Sequence, residues 1–161
     1  MNIDPNIPYF EDKDTPVQAD KPTVERKTIN AIVYDPKTDQ ILCLDWKEHN
    51  WITTIIGGIE DDEELENAGR REITEETGYF DLEYKGEVTK FYTSFYAAHK
   101  GVNRLADTTA VLFILKSDTQ KEVNTEETKN HVYVWVSKDT VLSYLNVEPQ
   151  IFAVKEALKM I

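Results

Sequence analysis

Alternation of apolar and polar positions is clearest in His-Val-Tyr-Val-Trp-Val, residues 131–136, and predicts a strand there. β-Branched residues accumulate over 26–34, Asp35-Pro36 and Asp39 interrupt them, and apolar residues resume over 41–46, which is the signature of a hairpin. Further strands are predicted at 52–56, 79–84, 87–97 and 109–115. Between these lies a stretch with helical character, 64–77, which contains no proline and a single glycine, Gly69. Asp61 and Asp62 are suitable caps before it, and Glu63, Glu64 and Glu66 place negative charge at the positive end of the helix dipole. Gly78 is placed to stop the helix.

Two shorter helices are predicted near the C-terminus: 138–145, capped by Ser137, and 149–160, with Pro149 near its start. Residues 1–23 contain Pro5, Pro8, Pro16 and Pro22 among polar residues and read as an extended arm rather than a helix or central strand, pinned by Tyr9 and Phe10. The remainder, 24–161, reads as one domain, and its order of strands, helix, strands and terminal helices suggests an α/β sandwich.

At about 100° per residue, Glu66, Asn67, Arg70, Arg71, Thr74 and Thr77 form one broad polar side of the central helix. Glu72, Glu75 and Glu76 instead project with Leu65, Ala68 and Gly69, the side that should face the rest of the protein. Residues three and four apart are neighbours on a helix, so Glu72 sits beside both Glu75 and Glu76. Three carboxylates on an inward face repel one another and are costly to desolvate, so they need cations nearby. Mg²⁺, with Mn²⁺ as a substitute, prefers such oxygen ligands and keeps positions for water and phosphate oxygens. Arg71 cannot be a ligand; its fork suits it to brace the carboxylates. Taken alone, an E-x-x-E-E run on a helix is more often simply a solvated acidic face, and it is the wider pattern around it that favours a metal site. Glu60, in the loop before the helix, either joins the cluster or stays solvated.

Composition narrows the classes further. A chain of 161 residues suits one domain with a sizeable core. Its net charge of −12 argues against general nucleic-acid binding, which requires a basic stripe. It does not argue against an anionic nucleotide, provided metal ions carry the local positive charge. The single Cys43, flanked by Ile41, Leu42 and Leu44, reads as a buried core thiol and fits a reducing compartment. No apolar run approaches the roughly 20 residues that span a bilayer, and no signal sequence is apparent, so a cytoplasmic protein without membrane attachment is expected.

Gly57, Glu63, Arg71, Glu72, Ile73, Glu75, Glu76, Gly78 and Tyr79 fall on the pattern G-x5-E-x7-R-E-U-x-E-E-x-G-U, where U is bulky and apolar. This is the Nudix box, and the chain resembles the Nudix hydrolases. The resemblance implies the Nudix fold, an α/β/α sandwich around a mixed sheet. It also implies Mg²⁺-dependent hydrolysis of a pyrophosphate bond in a nucleoside diphosphate linked to another moiety. Glu72, Glu75 and Glu76 would be the metal ligands, joined by Glu60 if the loop allows it, with Glu75 also sharing in activation of the attacking water and Arg71 as the brace. A separate general base is common in the family at varying positions; Glu126 and Glu127 are the candidates, Glu127 foremost, and an ordinary exposed loop is the alternative. Gly57 and Gly58 either mark a strand end or let the backbone approach the diphosphate.

The segment 95–105 concentrates His99, Lys100, Asn103 and Arg104 in an acidic chain, with Phe95 and Tyr96 beside them. It is either a substrate-recognition loop or an unremarkable charged connection. Asp62 stands where a glycine is frequent in the family, and Ile55-Ile56 stand where proline or glycine is frequent, so the loop geometry departs from the usual pattern. A weaker similarity, over ADKPTVERKTINAIV, DWKEHNWITTIIGGIE and FYAAHKGVNR, connects the chain to the Nudix domain within some bacterial leucyl-tRNA synthetases. The alternative to an enzyme is a Nudix-fold regulatory module that binds a nucleotide or protein without turnover. A homodimer is open, with the arm crossing to a partner subunit.

Overall fold

A computed structural model describes residues 2–161. The elements in order are β1 (Tyr9–Glu11), β2 (Thr23–Asp35), β3 (Gln40–Trp46), β4 (Trp51–Thr53), β5 (Ile55–Gly58), α1 (Leu65–Thr77), β6 (Leu82–Ala97), β7 (Val102–Leu115), α2 (Thr125–Thr128), β8 (His131–Ser137), α3 (Val141–Tyr144) and α4 (Glu148–Leu158). Eight strands form a mixed sheet along β1-β6-β7-β2-β3-β4, with β5 also on β2 and β8 on β3. β2 and β7 run parallel over their length, whereas the β2–β3 and β6–β7 hairpins are antiparallel.

Side chains alternate across a strand, so each strand feeds two cores. Ile29, Ala31 and Val33 of β2 pack with Val111 and Phe113 of β7 beneath Ala68 and Ile73 of α1. The other parity, with Ile32, Ile41, Cys43 and Leu112, packs against Val141 of α3 and Ala153, Val154 and Ala157 of α4. Helices therefore cover both faces, the α/β/α sandwich expected from the sequence. Cys43 is fully buried, and burial pushes its thiol up to about 12. No helix among the described residues is long and apolar enough to cross a membrane.

Several elements differ from their sequence expectation, each for a physical reason. The strand predicted at 52–56 is broken at Thr54, whose N–H and hydroxyl both donate to Gln150 Oε1, at 3.0 and 2.8 Å. The break lets β4 pair with β3 while β5 pairs with β2. Of the strand predicted at 79–84, Tyr79 makes only an isolated bridge to Gln120. β6 instead begins at Leu82 and runs on through irregularities near Gly86, merging two predicted strands. β7 begins at Val102, well before the predicted 109, because β2 and β6 pair with its first half. The predicted helix 138–145 shortens to α3, while α4 carries Pro149 in its first turn.

The arm is extended but includes an edge strand, β1, parallel to β6. Phe10 packs edge-on to Phe91 and tilted against Phe152, with centroids 6.1 and 5.8 Å away. Farther along the arm, Asn103 of β7 accepts from Gln18 N at 2.8 Å and donates to Gln18 O at 2.7 Å.

Candidate active site and its carboxylate cluster

α1 lies close on the sheet because Gly69 has no side chain: a Cβ there would stand 2.5 Å from the Phe113 ring. Glycine costs a helix about 1 kcal/mol relative to alanine, a cost set against this close packing. Gly78 ends the helix in the left-handed region, at φ 84°, with its N–H on Thr74 O. The start differs from expectation. Neither Asp61 nor Asp62 is the cap; Glu64 holds that position without a side-chain hydrogen bond. Asp62 instead turns the preceding loop at φ 61°, a conformation that glycine adopts freely and aspartate tolerates. The N–H of Glu60 donates back to Glu63 Oε1 at 3.0 Å.

The carboxylate of Glu72 lies directly over Gly57. A Cβ on Gly57 would stand 1.9 Å from the Glu72 carboxyl carbon, so the glycine is what admits this side chain. On the next residue the parity reverses: a Cβ on Gly58 would meet the Arg26 guanidinium at 2.3 Å, on the sheet face turned away from α1. Gly58 joins the cluster through its carbonyl, which accepts from Arg71 Nη2 at 2.8 Å.

Arg71 organises this end of the cluster. Its Nε and Nη2 grip Glu63 in a two-point contact at 2.8 and 2.9 Å, and Nη1 donates to Glu72 at 2.8 Å and lies 3.5 Å from Glu75. Glu60, largely exposed, comes within 3.8 Å of Nε. The helical-wheel assignment of Arg71 to the outer polar side is therefore corrected, because its long stem folds back across the helix to reach these partners. Thr77, assigned to the same polar side, is buried, with its hydroxyl on Ile73 O at 2.6 Å.

The Arg71 hydrogen bonds hold the Glu63 carboxyl down to about 2. The guanidinium is raised in turn, chiefly by Glu63. Glu72 behaves oppositely: burial pushes its carboxyl up, and Arg71 opposes without cancelling the shift. Burial also raises Glu75; Arg71 opposes, and the charges of Glu127, Glu76 and Glu60 add to the rise.

At the far end of α1, Glu76 contacts Nε2 of His131, the first residue of β8. His131 is buried, 4 % exposed, and its ring lies 4.9 Å from that of Trp46. Among the described residues its Nδ1 has no hydrogen-bond partner. The sequence reading missed His131, although the signal was present: alternation in residues 131–136 puts it on the same face as Tyr133 and Trp135. Glu126 and Glu127 lie in α2, a single turn capped by Asn124. Glu126 pairs with Lys129 at 2.9 Å, whereas the charge of Glu127 reaches Glu75.

Among the described residues no three carboxylate, histidine or cysteine side chains already stand in metal-ligating geometry. Glu72 is turned towards Arg71 and Glu76 towards His131. The donor chemistry nonetheless fits a hard divalent cation. It consists of carboxylate oxygens, and burial raises Glu72 and Glu75 more than the Arg71 guanidinium lowers them, with neighbouring carboxylates adding to the rise.

The structure thus gathers Gly57, Gly58, Glu60, Glu63, Arg71, Glu72, Glu75, Glu76 and Glu127 about one side of α1. It does not bring the segment 95–105 into contact with them. His99 and Lys100 sit exposed in the turn between β6 and β7. Asn103 is buried and holds the arm, while Arg104 pairs with Val24 on the sheet face opposite α1.

The chain matches the NUDIX domain family over residues 24–157. Solved structures of similar fold include the C. elegans Ap4A hydrolase, 14% identical with a TM-score of 0.61, covering 85% of this chain and 98% of that one. The second is the E. coli dihydroneopterin triphosphate pyrophosphohydrolase, also 14% identical with a TM-score of 0.59, covering 83% of this chain and 96% of that one. The NUDIX domain of Shewanella oneidensis NrtR, solved with ADP ribose, is 14% identical with a TM-score of 0.58, covering 85% of this chain and 88% of that one. No curated protein sequence matches the chain.

Proposed function

The chain belongs to the Nudix family, whose members hydrolyse phosphoric anhydrides, and we propose that its substrate is a nucleoside diphosphate linked to a further moiety, cleaved with Mg²⁺. The observation that carries this reading is the Glu72 carboxylate, buried over a glycine and hydrogen-bonded to Arg71 on one side. Such a buried negative charge suits a site completed by a cation.

Glu72, Glu75 and Glu76 would hold the metal, with Glu60 at the exposed margin. When bound there, the cation would offset charge on the diphosphate oxygens as the anhydride breaks. Arg71 keeps Glu63, Glu72 and the Gly58 carbonyl in one arrangement. In the reaction, water adds to one phosphorus, the bridging P–O bond breaks with its electron pair leaving on the second phosphate, and a carboxylate takes the water's proton. Glu75 is the first candidate acceptor, because burial and neighbouring charges raise its basicity. Glu127 is the second.

The fold relatives whose names include Ap4A and ADP ribose place dinucleoside polyphosphates and ADP-ribose first in a substrate screen. Product release is to be measured across these, nucleotide sugars and nucleoside triphosphates, with and without Mg²⁺. Glu75→Gln and Glu76→Gln are the controls. Turnover that requires Mg²⁺ and falls at least about a hundredfold in the controls supports the proposal. Binding without cleavage above the controls moves the chain to a regulatory module, a reading favoured by the engagement of Glu76 with His131.

A further inference from the structure

The cavity nearest the β3–β4 hairpin has a volume of about 480 Å³ and is lined in part by Trp46, Lys47 and His49. Strand register explains how these aromatic groups relate to the carboxylates. Trp46 of β3 is paired on one side with His131 of β8 and on the other with Trp51 of β4. Directly paired residues share a face of the sheet, so His131, Trp46 and Trp51 form one cross-strand row. Trp46 packs with the core beneath α1, which puts the row on the face that carries the carboxylate cluster.

One end of this row is joined to the cluster, because His131 contacts Glu76. The other end is open: Trp51 is 42% exposed. Two strand spacings separate the ends, roughly 10 Å, a length that a ribose and its base can span from a diphosphate at the carboxylates. His49 is stacked on Trp51 with centroids 4.4 Å apart and planes 23° from parallel, extending the π-surface.

The platform is held in place from behind. Asn146, between α3 and α4, accepts from Ile52 N at 2.8 Å and donates to Asn50 O at 2.7 Å, clamping the hairpin on both sides of Trp51. The indole N–H of Trp46 donates to Thr53 Oγ1 at 2.9 Å, fixing the middle ring. A fixed aromatic surface loses little freedom when a flat ligand stacks on it.

We propose that the β3–β4 hairpin is a nucleobase subsite, with Trp51 and His49 stacking on the base of a nucleoside diphosphate derivative whose diphosphate lies at the carboxylate cluster. The proposal rests on the hydrolase reading and assigns the base-recognising residues of that same site. It moves base recognition from the 95–105 segment to a hairpin in direct register with His131. The competing occupant is a second copy of this chain against the β4 edge. A nucleobase is favoured because the aromatic row continues to the carboxylates, and because the charged Lys47 and Glu48 line the adjoining cavity together with His49.

The test is calorimetric binding of ADP, GDP, CDP and UDP, with ribose 5-phosphate as the probe that lacks a base. It uses the whole chain, together with Trp51→Phe, Trp51→Leu and His49→Ala. Wild type is expected to bind at least one nucleoside diphosphate more tightly than ribose 5-phosphate. Trp51→Leu, which keeps apolar bulk without a π-face, should weaken that nucleotide by roughly tenfold or more. Trp51→Phe should stay within about threefold, and ribose 5-phosphate should bind all variants alike. Circular dichroism confirms folding of each variant.

The subsite is overturned if no nucleoside diphosphate outbinds ribose 5-phosphate, or if Trp51→Leu binds as wild type does. A Trp51→Leu variant that changes only sedimentation would assign the surface to a second copy and also overturn it. Base-dependent binding in a protein that cleaves nothing above Glu75→Gln would sink the hydrolase reading while leaving the subsite standing.

Discussion

The two ends of α1 hold their carboxylates by different means. At the Glu72 end every partner is close in sequence: Gly57 makes room, Gly58 lends its carbonyl, and Glu63 and Arg71 close the network. At the Glu76 end the partner is His131, delivered by a strand that pairs with β3 far from α1 in the chain. The first arrangement needs only β5, its loop and α1, with β5 held on β2. The second requires β8 to find its register on β3, since a slip of one residue would turn His131 to the other face.

Breaking the near end should have the larger effect. Gly57→Ala would force a methyl group into the Glu72 carboxylate while β5 remains hydrogen-bonded to β2. Turnover is expected to fall by about a hundredfold or more, because small displacements of reacting groups carry losses of that size. Stability should fall by about 1–3 kcal/mol, the range for overpacking. Steady-state kinetics and thermal unfolding check both; an alanine variant with wild-type turnover would remove Gly57 from this role. Arg71→Ala comes next, leaving Glu63 and Glu72 without their cation. Destabilisation of about 2 kcal/mol is expected, below the figure for fully buried pairs because the guanidinium is partly exposed. Arg71→Lys should recover charge but not the two-point grip on Glu63, so denaturant unfolding should place it between alanine and wild type.

This contrast also explains what was legible in the sequence. The cluster Glu72, Glu75 and Glu76 with Arg71 could be read because its spacing lies within one helix and its flanking loop. The wheel misplaced Arg71 and Thr77, since it tracks where a side chain leaves the helix and not where a long stem ends or which neighbour covers it. The sandwich and the β2–β3 hairpin were legible from periodicity and turn residues. The break at Thr54 was not, because it depends on Gln150 in α4, which no local pattern links to β4 and β5. For the same reason the early start of β7 and the engagement of Asn103 with the arm could not be anticipated from the charges in 95–105.

Perturbing the far end should cost less and separate orientation from support. His131→Asn keeps a polar group but shortens its reach to Glu76, and is expected to weaken Mn²⁺ binding, followed by electron paramagnetic resonance, by about tenfold. Its unfolding should shift less than that of Arg71→Ala. Equal or greater loss of metal affinity than in Arg71→Ala would reverse the ranking of the two ends.

The finest distinction is in acid. Glu63 is held at about 2 against an ordinary value of 4.5, so its charged form is favoured by folding. A depressed carboxyl contributes stability that is fully present above about pH 4.5 and disappears progressively as pH falls towards 2. Glu72 and Glu75 have the opposite sign, since their raised carboxyls cost stability when charged and relieve that cost on protonation. Wild type therefore sums opposing effects in the acid range, and only a difference experiment isolates the near-end lock. Glu63→Gln should melt below wild type at pH 6, with the gap narrowing through pH 4 and closing towards pH 2. A gap that stayed constant across that range would mean that Glu63 acts through packing and hydrogen-bond shape, and the near end would then owe its order to the glycine and the guanidinium alone.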